Sequence, residues 1–269
     1  MIKKIFVLVG IVAGALIVTA LGIDAADTIG GVKGTLLSQV ISRNGGVCPP
    51  GMTEVSAIPN ITCVDTYEAS AKDTCPTPVP EQMMATKQNL DAITCTAESQ
   101  KDATPWRFIT RDQAMQMCAR SGKRLPTSAE WYAISLGMTN VESECNVSQK
   151  SITKTGAFTN CFAPSGAYDL VGNVWEWVSD DVINGVYNAI PVPGTGFVTQ
   201  VDANGMATMV SDTPSNLFDA DYYWSRTDGA FGMIRGGYYD SGTDGGVYTV
   251  HADTPPTTAG TGIGFRCVK

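Results

Sequence analysis

Hydrophobic positions run without interruption near the start of the chain. Residues 5–23 carry no charged side chain, and Lys3 and Lys4 precede them. A helix of that length crosses a hydrocarbon core of about 30 Å. The pattern predicts a hydrophobic N-terminal helix over residues 1–23, either a retained transmembrane anchor or a cleaved signal segment. The two lysines predict that the body of the chain lies on the extracytoplasmic side of the membrane.

Residues 24–46 show a weaker, helical spacing of apolar side chains. Ile29, Val32, Leu36 and Val40 recur at intervals of three or four residues, and a Gly-Gly pair ends the pattern. This spacing predicts a partly helical stalk or linker that holds a head domain away from the membrane. The alternative is a pilin-like helix that packs against copies of itself in a filament, although three glycines in its first half weaken a long helix.

The head, predicted to span residues 47–269, begins with a strand pattern and continues with two helix signals. Polar turn residues precede a predicted strand over Thr62–Glu68. Thr110 and Thr127 are each followed three residues later by Gln or Glu, which is the spacing of a helix capping box. Apolar residues at helical spacing follow both boxes, and a glycine ends each run. We therefore predict two short helices within residues 106–137.

Three segments of the head show no clear hydrophobic period. Residues 72–104, rich in Pro, Thr and Lys, predict an inserted loop, and residues 138–165 predict a polar loop. Residues 184–230, rich in Gly, Pro and Asp, predict a long irregular region. Cysteines that lie close in sequence are natural disulfide partners in and beside these loops: Cys48–Cys63, Cys75–Cys95 and Cys145–Cys161.

The tail, residues 235–269, differs in composition from the rest of the head. It contains eight glycines, which argue against a helix and predict short strands joined by tight turns. Between residues 238 and 262 there is no Lys, Glu, Gln, Trp or Met. A surface rich in Tyr, Ser, Thr, Asp and Gly is typical of a recognition site. The alternative is an ordinary surface loop.

Composition and charge narrow the class of protein. Hydrophobic residues make up 43% of the chain and charged residues 16%, as in a globular body. The net charge of −8 argues against nucleic acid as a partner. A single histidine, His251, excludes most multi-histidine metal sites. The eight cysteines behind a hydrophobic segment predict disulfides formed in an oxidising compartment.

Three sequence blocks relate the head to a known family. They are KRLPTSAEWYAISLG at 123–137, YDLVGNVWEWVSD at 168–180, and the RGG and GIGFR motifs that bracket residues 235–266. Together they resemble the formylglycine-generating enzyme family, also called the sulfatase-modifying factor family. The resemblance covers residues 47–269. It implies an α+β head with a C-type-lectin-like fold of the formylglycine-generating-enzyme type.

The catalytic groups of that family are absent from the places that the resemblance gives them. The family's oxidases convert a substrate cysteine to formylglycine with a cysteine pair and copper, and a related branch uses iron held by several histidines. Counted from Arg235, the two cysteine positions are Ser241 and Gly246, and no cysteine lies between Cys161 and Cys267. One histidine is too few for the iron site. We therefore expect no catalytic residue, no enzyme activity and no required cofactor.

Non-catalytic relatives whose tails show a similar pattern include the variable proteins of diversity-generating retroelements. In those proteins, asparagine codons are rewritten at template adenines, so many residues appear on a fixed scaffold. The resemblance implies that residues 235–266 form such a variable segment. The ligand-binding residues that it implies are Tyr238, Tyr239, Asp240, Ser241, Asp244, His251, Asp253, Thr254, Thr258, Gly260 and Gly262. Three aromatic residues that precede the tail are candidates for the rim of the site: Tyr222, Tyr223 and Trp224.

A face that tolerates substitution requires other residues to hold the frame, because cores respond to small changes of volume. Four tail residues are expected at buried strand positions: Val247, Val250, Ile263 and Phe265. Three glycines are expected where backbone segments approach closely: Gly236, Gly237 and Gly264. Three tryptophans are expected in the core: Trp131, Trp175 and Trp177. The resemblance also implies a long-range disulfide, Cys118–Cys267.

The resemblance implies a calcium site as well, because the enzyme branch of the family has one in this part of the chain. Its ligands would be the carboxylates of Asp169 and Glu176 and the carbonyls of Gly172 and Val174. A hard cation such as Ca²⁺ prefers such a mixed set of oxygens. The alternative is that Glu176 bonds to neighbouring backbone groups while Asp169 is solvated.

The sequence thus predicts a surface protein, membrane-anchored or secreted, whose extracytoplasmic head binds a ligand without chemistry. The binding face lies within residues 238–262, and the partner is an unknown protein or another surface ligand. The N-terminal segment contacts the membrane, and no nucleic acid is expected. The alternatives are a divergent formylglycine-generating oxidase that acts on sulfatase-type cysteines, and a pilin-like filament subunit.

Overall fold

The computed structural model describes residues 47–55, 57–138 and 143–269. The predicted N-terminal helix and the predicted stalk lie outside these residues. Within them, no helix combines the length and the apolar character needed to cross a membrane. Pro50–Lys269 forms a compact unit, and its architecture is as follows.

This unit mixes helices and strands, so the predicted α+β class is correct. Its α-helices in the described ranges are α1 (Met83–Asp91), α2 (Arg111–Arg120) and α3 (Ser128–Ser135). Its first strands form two small antiparallel pairs, β1 (Met52–Glu54) with β2 (Cys63–Asp65), and β3 (Ala69–Ala71) with β4 (Ala97–Ser99). The later strands are β5 (Trp175–Ile183), β6 (Val186–Tyr187), β7 (Ile190–Pro191), β8 (Gly196–Val201), β9 (Ala207–Ser211), β10 (Tyr222–Trp224), β11 (Ala230–Arg235), β12 (Val250–Thr254) and β13 (Ile263–Phe265).

The later strands form one mixed sheet. Its order is β7-β6-β5-β11-β12-β10-β8-β9, and β13 pairs with the first residues of β5. The β13–β5 and β10–β12 pairs are parallel, while the other pairs are antiparallel. Both parallel pairs include a tail strand, so they bring the tail against the start of β5 and the end of β10.

Both predicted capping boxes are present and set the starts of α2 and α3. The amide of Gln113 donates to the Thr110 hydroxyl at 3.3 Å, and the Gln113 side chain accepts from the Thr110 amide at 3.0 Å. Thr127 and Glu130 repeat this exchange at 3.1 and 2.8 Å. Glycines with positive φ follow both helices within two residues, as the sequence predicts.

Two segments contain more regular structure than the sequence predicts. Residues 72–104 include α1 and β4, and residues 184–230 include β6 to β10. The buried residues of α1 are Ala85, Thr86 and Asn89, so its inward face is small and polar and leaves no hydrophobic period. The strand predicted over Thr62–Glu68 is also shorter, because pairing ends at Asp65.

Apolar side chains pack on both faces of the mixed sheet. Met233 and Ile234 are successive residues of β11 and join different core clusters, as expected from the period of two along a strand. Trp177 and Phe265 belong to one cluster and Val250 to the other. The tail strands therefore contribute to the core on both faces of the sheet.

Disulfides tie these elements together. Cys118 at the end of α2 bonds to Cys267, which lies 149 residues further along the chain. Two bridges close short loops, Cys75–Cys95 and Cys145–Cys161. Cys48 and Cys63 are disulfide-bonded as well, and no cysteine of the described residues is free. Four disulfides are typical of proteins that fold in an oxidising, extracytoplasmic compartment.

Candidate functional site

An open cleft of about 450 Å³ lies where β5, β12 and β13 begin and β10 ends. Its lining includes seven of the residues that the sequence implies as ligand-binding: Tyr238, Asp240, Ser241, Asp244, His251, Gly260 and Gly262. Trp224, one of the predicted rim residues, also lines it, as do Trp175, Thr261 and Ile263. The tail thus supplies most of the wall of this cleft.

Stacked rings form a continuous aromatic surface in the cleft. Trp224 and His251 are register partners on the parallel strands β10 and β12, and their rings stack with centroids 3.9 Å apart. Trp175 meets the edge of His251 at 5.0 Å and stacks with Tyr238 at 6.3 Å. Two further rings extend the row at its ends, Tyr222 beside Trp224 and Tyr239 beside Tyr238.

Three carboxylates accompany these rings. Asp240 forms an ion pair with Lys150, which comes from the loop between α3 and β5. Asp253 lies 3.0 Å from Nδ1 of His251. Asp244 forms no salt bridge with any residue that the structure describes, and partial burial raises the pKa of its carboxyl group.

Main-chain hydrogen bonds hold the tail loops against the rest of the head. The amide of Tyr239 donates to the carbonyl of Asn173 at 3.1 Å, and the amide of Gly242 donates to the carbonyl of Val147 at 2.8 Å. The amide of Trp175 donates to the carbonyl of Gly262 at 2.8 Å. Since every residue except proline carries both groups, these bonds do not depend on the side chains at the two ends.

Some of the residues implied as ligand-binding lie elsewhere. Tyr223 is fully buried in the core, because it points to the opposite face of β10 from Tyr222 and Trp224. Thr254 is buried for the same reason on β12. Tyr239 and Asp253 contact lining residues without lining the cleft themselves, and Thr258 is half-buried outside it. The predictions of Tyr223 as a rim residue and Thr254 as an exposed contact are therefore wrong.

Two residues of the cleft were predicted to belong to the core. Trp175 is 6% exposed, yet it lines the floor of the cleft as well as packing in the core. Ile263 is half-buried and also lines the cleft. Each is the first residue of its strand. This position beside a turn is the signal in the sequence that could have indicated a side chain at the margin of the core.

The frame glycines lie where the sequence places them. A Cβ atom at Gly236 would lie 2.2 Å from the carbonyl oxygen of Leu170, and the residue has a φ of +92°. A Cβ at Gly264 would lie 2.8 Å from a methyl group of Val174. Val247, Val250 and Phe265 are buried as predicted. Backbone contacts and apolar burial therefore fix the tail at both ends and at β12.

Comparison with known proteins identifies the family. Residues 52–269 match the family model described as the sulfatase-modifying factor enzyme 1-like domain. The chain belongs to this family. Its curated relatives include the formylglycine-generating enzymes of Mus musculus and Bos taurus, each 33% identical over 100 residues, which is 28% of this chain and 27% of the enzyme. The chain therefore matches about a quarter of the length of these relatives.

Two solved structures are among those similar to this member of the sulfatase-modifying factor family. The Major Tropism Determinant P3c variant is 15% identical, with a TM-score of 0.45 over 82% of this chain and 53% of that chain. Treponema denticola variable protein 1 is 15% identical, with a TM-score of 0.43 over 81% of this chain and 94% of that chain.

In this sulfatase-modifying factor relative, the residues expected to hold calcium make other contacts. Both oxygens of Glu176 accept hydrogen bonds from Arg266 at 2.6–2.8 Å, and the indole of Trp131 donates to one of them at 2.7 Å. Asp169 accepts from the amide of Gly156 at 2.6 Å. No group of three or more acidic, histidine or cysteine side chains among the described residues is placed to hold a metal ion. The geometry favours a structural ion pair at Glu176 over a calcium ligand.

A second buried acid lies beside this ion pair. Glu68 accepts from the side chain of Asn173 at 2.6 Å and from the amide of Val174 at 3.1 Å. Burial, together with the neighbouring charges of Asp169 and Glu176, raises the pKa of Glu68 well above its usual range. Burial also raises the pKa of Asp169, to about 6. This cluster therefore links the segment between β2 and β3, which contains Glu68, to the start of β5.

Proposed function

We propose that this chain is a non-catalytic, surface-displayed protein that binds a ligand through a diversified recognition face in its tail. In this proposal it acts as the variable proteins of diversity-generating retroelements do. The observation that carries the proposal is that seven residues, which the family resemblance implies to be variable, line one open cleft. They lie up to 24 positions apart, from Tyr238 to Gly262, so the fold and not their sequence order brings them together.

The anchoring of the tail supports tolerance to substitution. Its loops are held by main-chain hydrogen bonds at Tyr239, Gly242 and Gly262. The bond at Tyr239 does not depend on the side chain. Gly242, however, has a φ of +58°, and a Cβ atom at Gly262 would lie 2.6 Å from the ring of Tyr238, so a larger residue at either glycine requires the loop to adjust. One further bond depends on a side chain, because the Ser241 hydroxyl accepts from the amide of Tyr238 at 3.0 Å. Side chains at the surface of the cleft can therefore change at a cost of about 0.5 kcal/mol or less for most exposed positions.

The stability of the tail region comes from residues outside the variable positions. Arg235 is fully buried and donates to the carbonyls of Ser128 and Gly205 at 3.1 and 2.9 Å. Arg266 pairs with Glu176 in the interior. These two stabilising side chains lie outside the positions implied as variable, which is the arrangement that a diversified face requires.

The cysteines argue against the oxidase alternative, which the similarity to formylglycine-generating enzymes favours. The positions where the resemblance implies catalytic cysteines hold Ser241 and Gly246, and every cysteine of the described residues is disulfide-bonded. The residues present therefore do not fit a copper site built on a cysteine pair. An assay for aldehyde formation on a sulfatase-type cysteine peptide tests this directly, and turnover would favour the oxidase.

The DNA that flanks the gene tests the proposed function. We expect an imperfect repeat of the codons for residues 235–269, differing from the gene at adenines, beside a gene for a reverse transcriptase. Codons for Tyr238, Asp240 and Asp244 are expected to differ between the two copies, while those for Arg235 and Cys267 match. Flanking DNA without such a repeat would contradict the proposal.

A further inference from the structure

The cleft carries one carboxylate that no cation of the described residues neutralises. Asp240 is paired with Lys150, and Asp253 lies beside His251. Asp244, on the turn between β11 and β12, forms no salt bridge with the described part of the chain and is half-buried. A carboxylate that has lost part of its water gains more from an arriving cation than a fully solvated one does.

Aromatic rings line the same cleft. Trp175, Trp224 and Tyr238 contribute indole and phenol groups, and no lysine or arginine is part of the lining. Aromatic faces attract cations, and arginine more often than lysine, because the planar guanidinium group also stacks on a ring. The net charge of −8 further favours an approaching cationic group.

We propose that the cleft of this chain binds an arginine side chain presented by a protein ligand, with Asp244 as its counter-ion. The aromatic wall packs against the guanidinium group and its aliphatic stem, while the rest of the ligand covers the surrounding tail. At about 450 Å³ the cleft accommodates one long side chain. This inference rests on the proposed function, since it assigns a ligand chemistry to the same face.

The test compares two small probes that differ in charge and little in shape. N-acetyl-arginine methyl ester carries the guanidinium group, and N-acetyl-citrulline methyl ester replaces it with a neutral urea. Calorimetric titration of the intact chain is expected to show about tenfold tighter binding of the arginine ester, as for one charge-assisted hydrogen-bonded pair. Added salt is expected to weaken that binding.

Two variants assign the effect to the cleft. Asp244→Asn is expected to remove the preference for the arginine ester, because it keeps the shape of the side chain and removes its charge. Asp228→Asn, at an exposed aspartate outside the cleft, is expected to keep the preference. Near-ultraviolet circular dichroism shows whether both variants keep the native packing.

Three results would overturn the inference: equal affinity for the two esters, no measurable binding of either, or an unchanged preference in Asp244→Asn. Preferential binding of methyl α-mannoside, an uncharged sugar probe, would overturn it as well. None of these results would remove the proposed function, because a diversified face can bind a neutral ligand. The proposed function is contradicted by other results: flanking DNA without the adenine-specific repeat, or turnover in the aldehyde assay.

Discussion

Arg266 and Glu176 connect the tail to the longest strand of the sheet. Both side chains are fully buried, and the closest approach of the guanidinium group to the carboxylate is 2.6 Å. Trp131 adds a hydrogen bond to the same carboxylate. Removing one partner of a buried ion pair leaves the other charge without compensation, so each residue of this pair is expected to be sensitive to substitution.

Glu176→Gln tests this pair with little change in shape. We expect the free energy of unfolding to fall by about 3 kcal/mol or more, since Arg266 then keeps a buried charge without its partner. Denaturant unfolding at neutral pH measures the change. Glu54→Gln, at an exposed position of β1, is the control and is expected to stay within about 0.5 kcal/mol. Equal small losses in both variants would contradict a stabilising role for the pair.

The raised pKa of Asp169 predicts that the stability of the folded state depends on pH. Burial raises the pKa of Asp169 from 3.8 to about 6, so the folded state holds the proton more tightly than the unfolded chain. The stabilisation of the folded state by this tighter proton binding is complete below pH 3.8 and is lost as the pH rises through about 6. Relative to Asp169→Asn, the natural chain is expected to lose up to about 3 kcal/mol over this window, at 1.36 kcal/mol per pH unit.

Denaturant unfolding at several pH values between 3.5 and 7 checks the Asp169 prediction. Asp212→Asn, at an exposed aspartate, is the control and is expected to follow the natural chain across the range. Parallel curves for the natural chain and Asp169→Asn would show that Asp169 has the same proton affinity in the folded and unfolded states.

At the scale of elements, β12 separates the side chains of the cleft and its margin from those of the core. Val250, Ala252 and Thr254 are buried, whereas His251 and Asp253 are half-exposed and belong to the cleft or its margin. Successive residues of a strand point to opposite faces of the sheet. A shift of one residue in the pairing of β12 would therefore exchange the two sets.

Neighbouring substitutions on β12 are expected to differ sharply in effect. Asp253→Ala should change the free energy of unfolding by about 0.5 kcal/mol or less, because the side chain is partly solvated and its pair with His251 is near the surface. Ala252→Asp should be much more destabilising, since it buries a charge without a partner. Thermal melting of both variants measures the difference, and similar melting temperatures would show that the alternation does not separate the two roles.

The elements with strong local signals were predictable from the sequence, and those with weak or absent local signals were not. The Thr110 and Thr127 capping boxes act within one helical turn, so the starts of α2 and α3 could be predicted. The glycines that follow the two helices predicted their ends. The helix α1 has no such signal, because its buried face is small and polar. Strands β6 to β9 pair with their neighbours along the chain, but they are short and partly exposed and lie between glycine- and aspartate-rich turns, so their local pattern is weak. Strand β10 has only three residues and pairs with the distant β12.

At the scale of the whole molecule, the Cys118–Cys267 bridge joins a helix in the middle of the head to the end of the tail. A disulfide that closes a longer loop removes more entropy from the unfolded chain. Replacing both of its cysteines with serine is expected to cost about 5 kcal/mol, compared with about 3 kcal/mol for Cys75–Cys95, whose residues are 20 apart. Denaturant unfolding of the two double variants measures both losses. Equal losses would mean that loop length does not set the contribution of these bridges.

The sequence predicted only part of the candidate site, because contacts between distant segments decide which residues lie together. The residues of the tail could be assigned from the family resemblance and from composition, and most of them line one cleft. Tyr223 and Thr254 were misplaced because the phase of a short strand is not fixed by its own sequence. Trp175 lies 63 residues before Tyr238, and the antiparallel pairing of β11 with β5, in which Arg235 lies opposite Glu176, brings the two rings together.

The position of β13 has a consequence for damaged copies of the gene. This strand begins at Ile263, the last residue that lines the cleft, and Arg266 and Cys267 are encoded after it. A chain that stops or loses its reading frame before Ile263 lacks the strand beside β5, leaves Glu176 without its cation and leaves Cys118 as an unpaired thiol. Such a product cannot complete the fold, so only copies read intact through the entire segment yield a folded head.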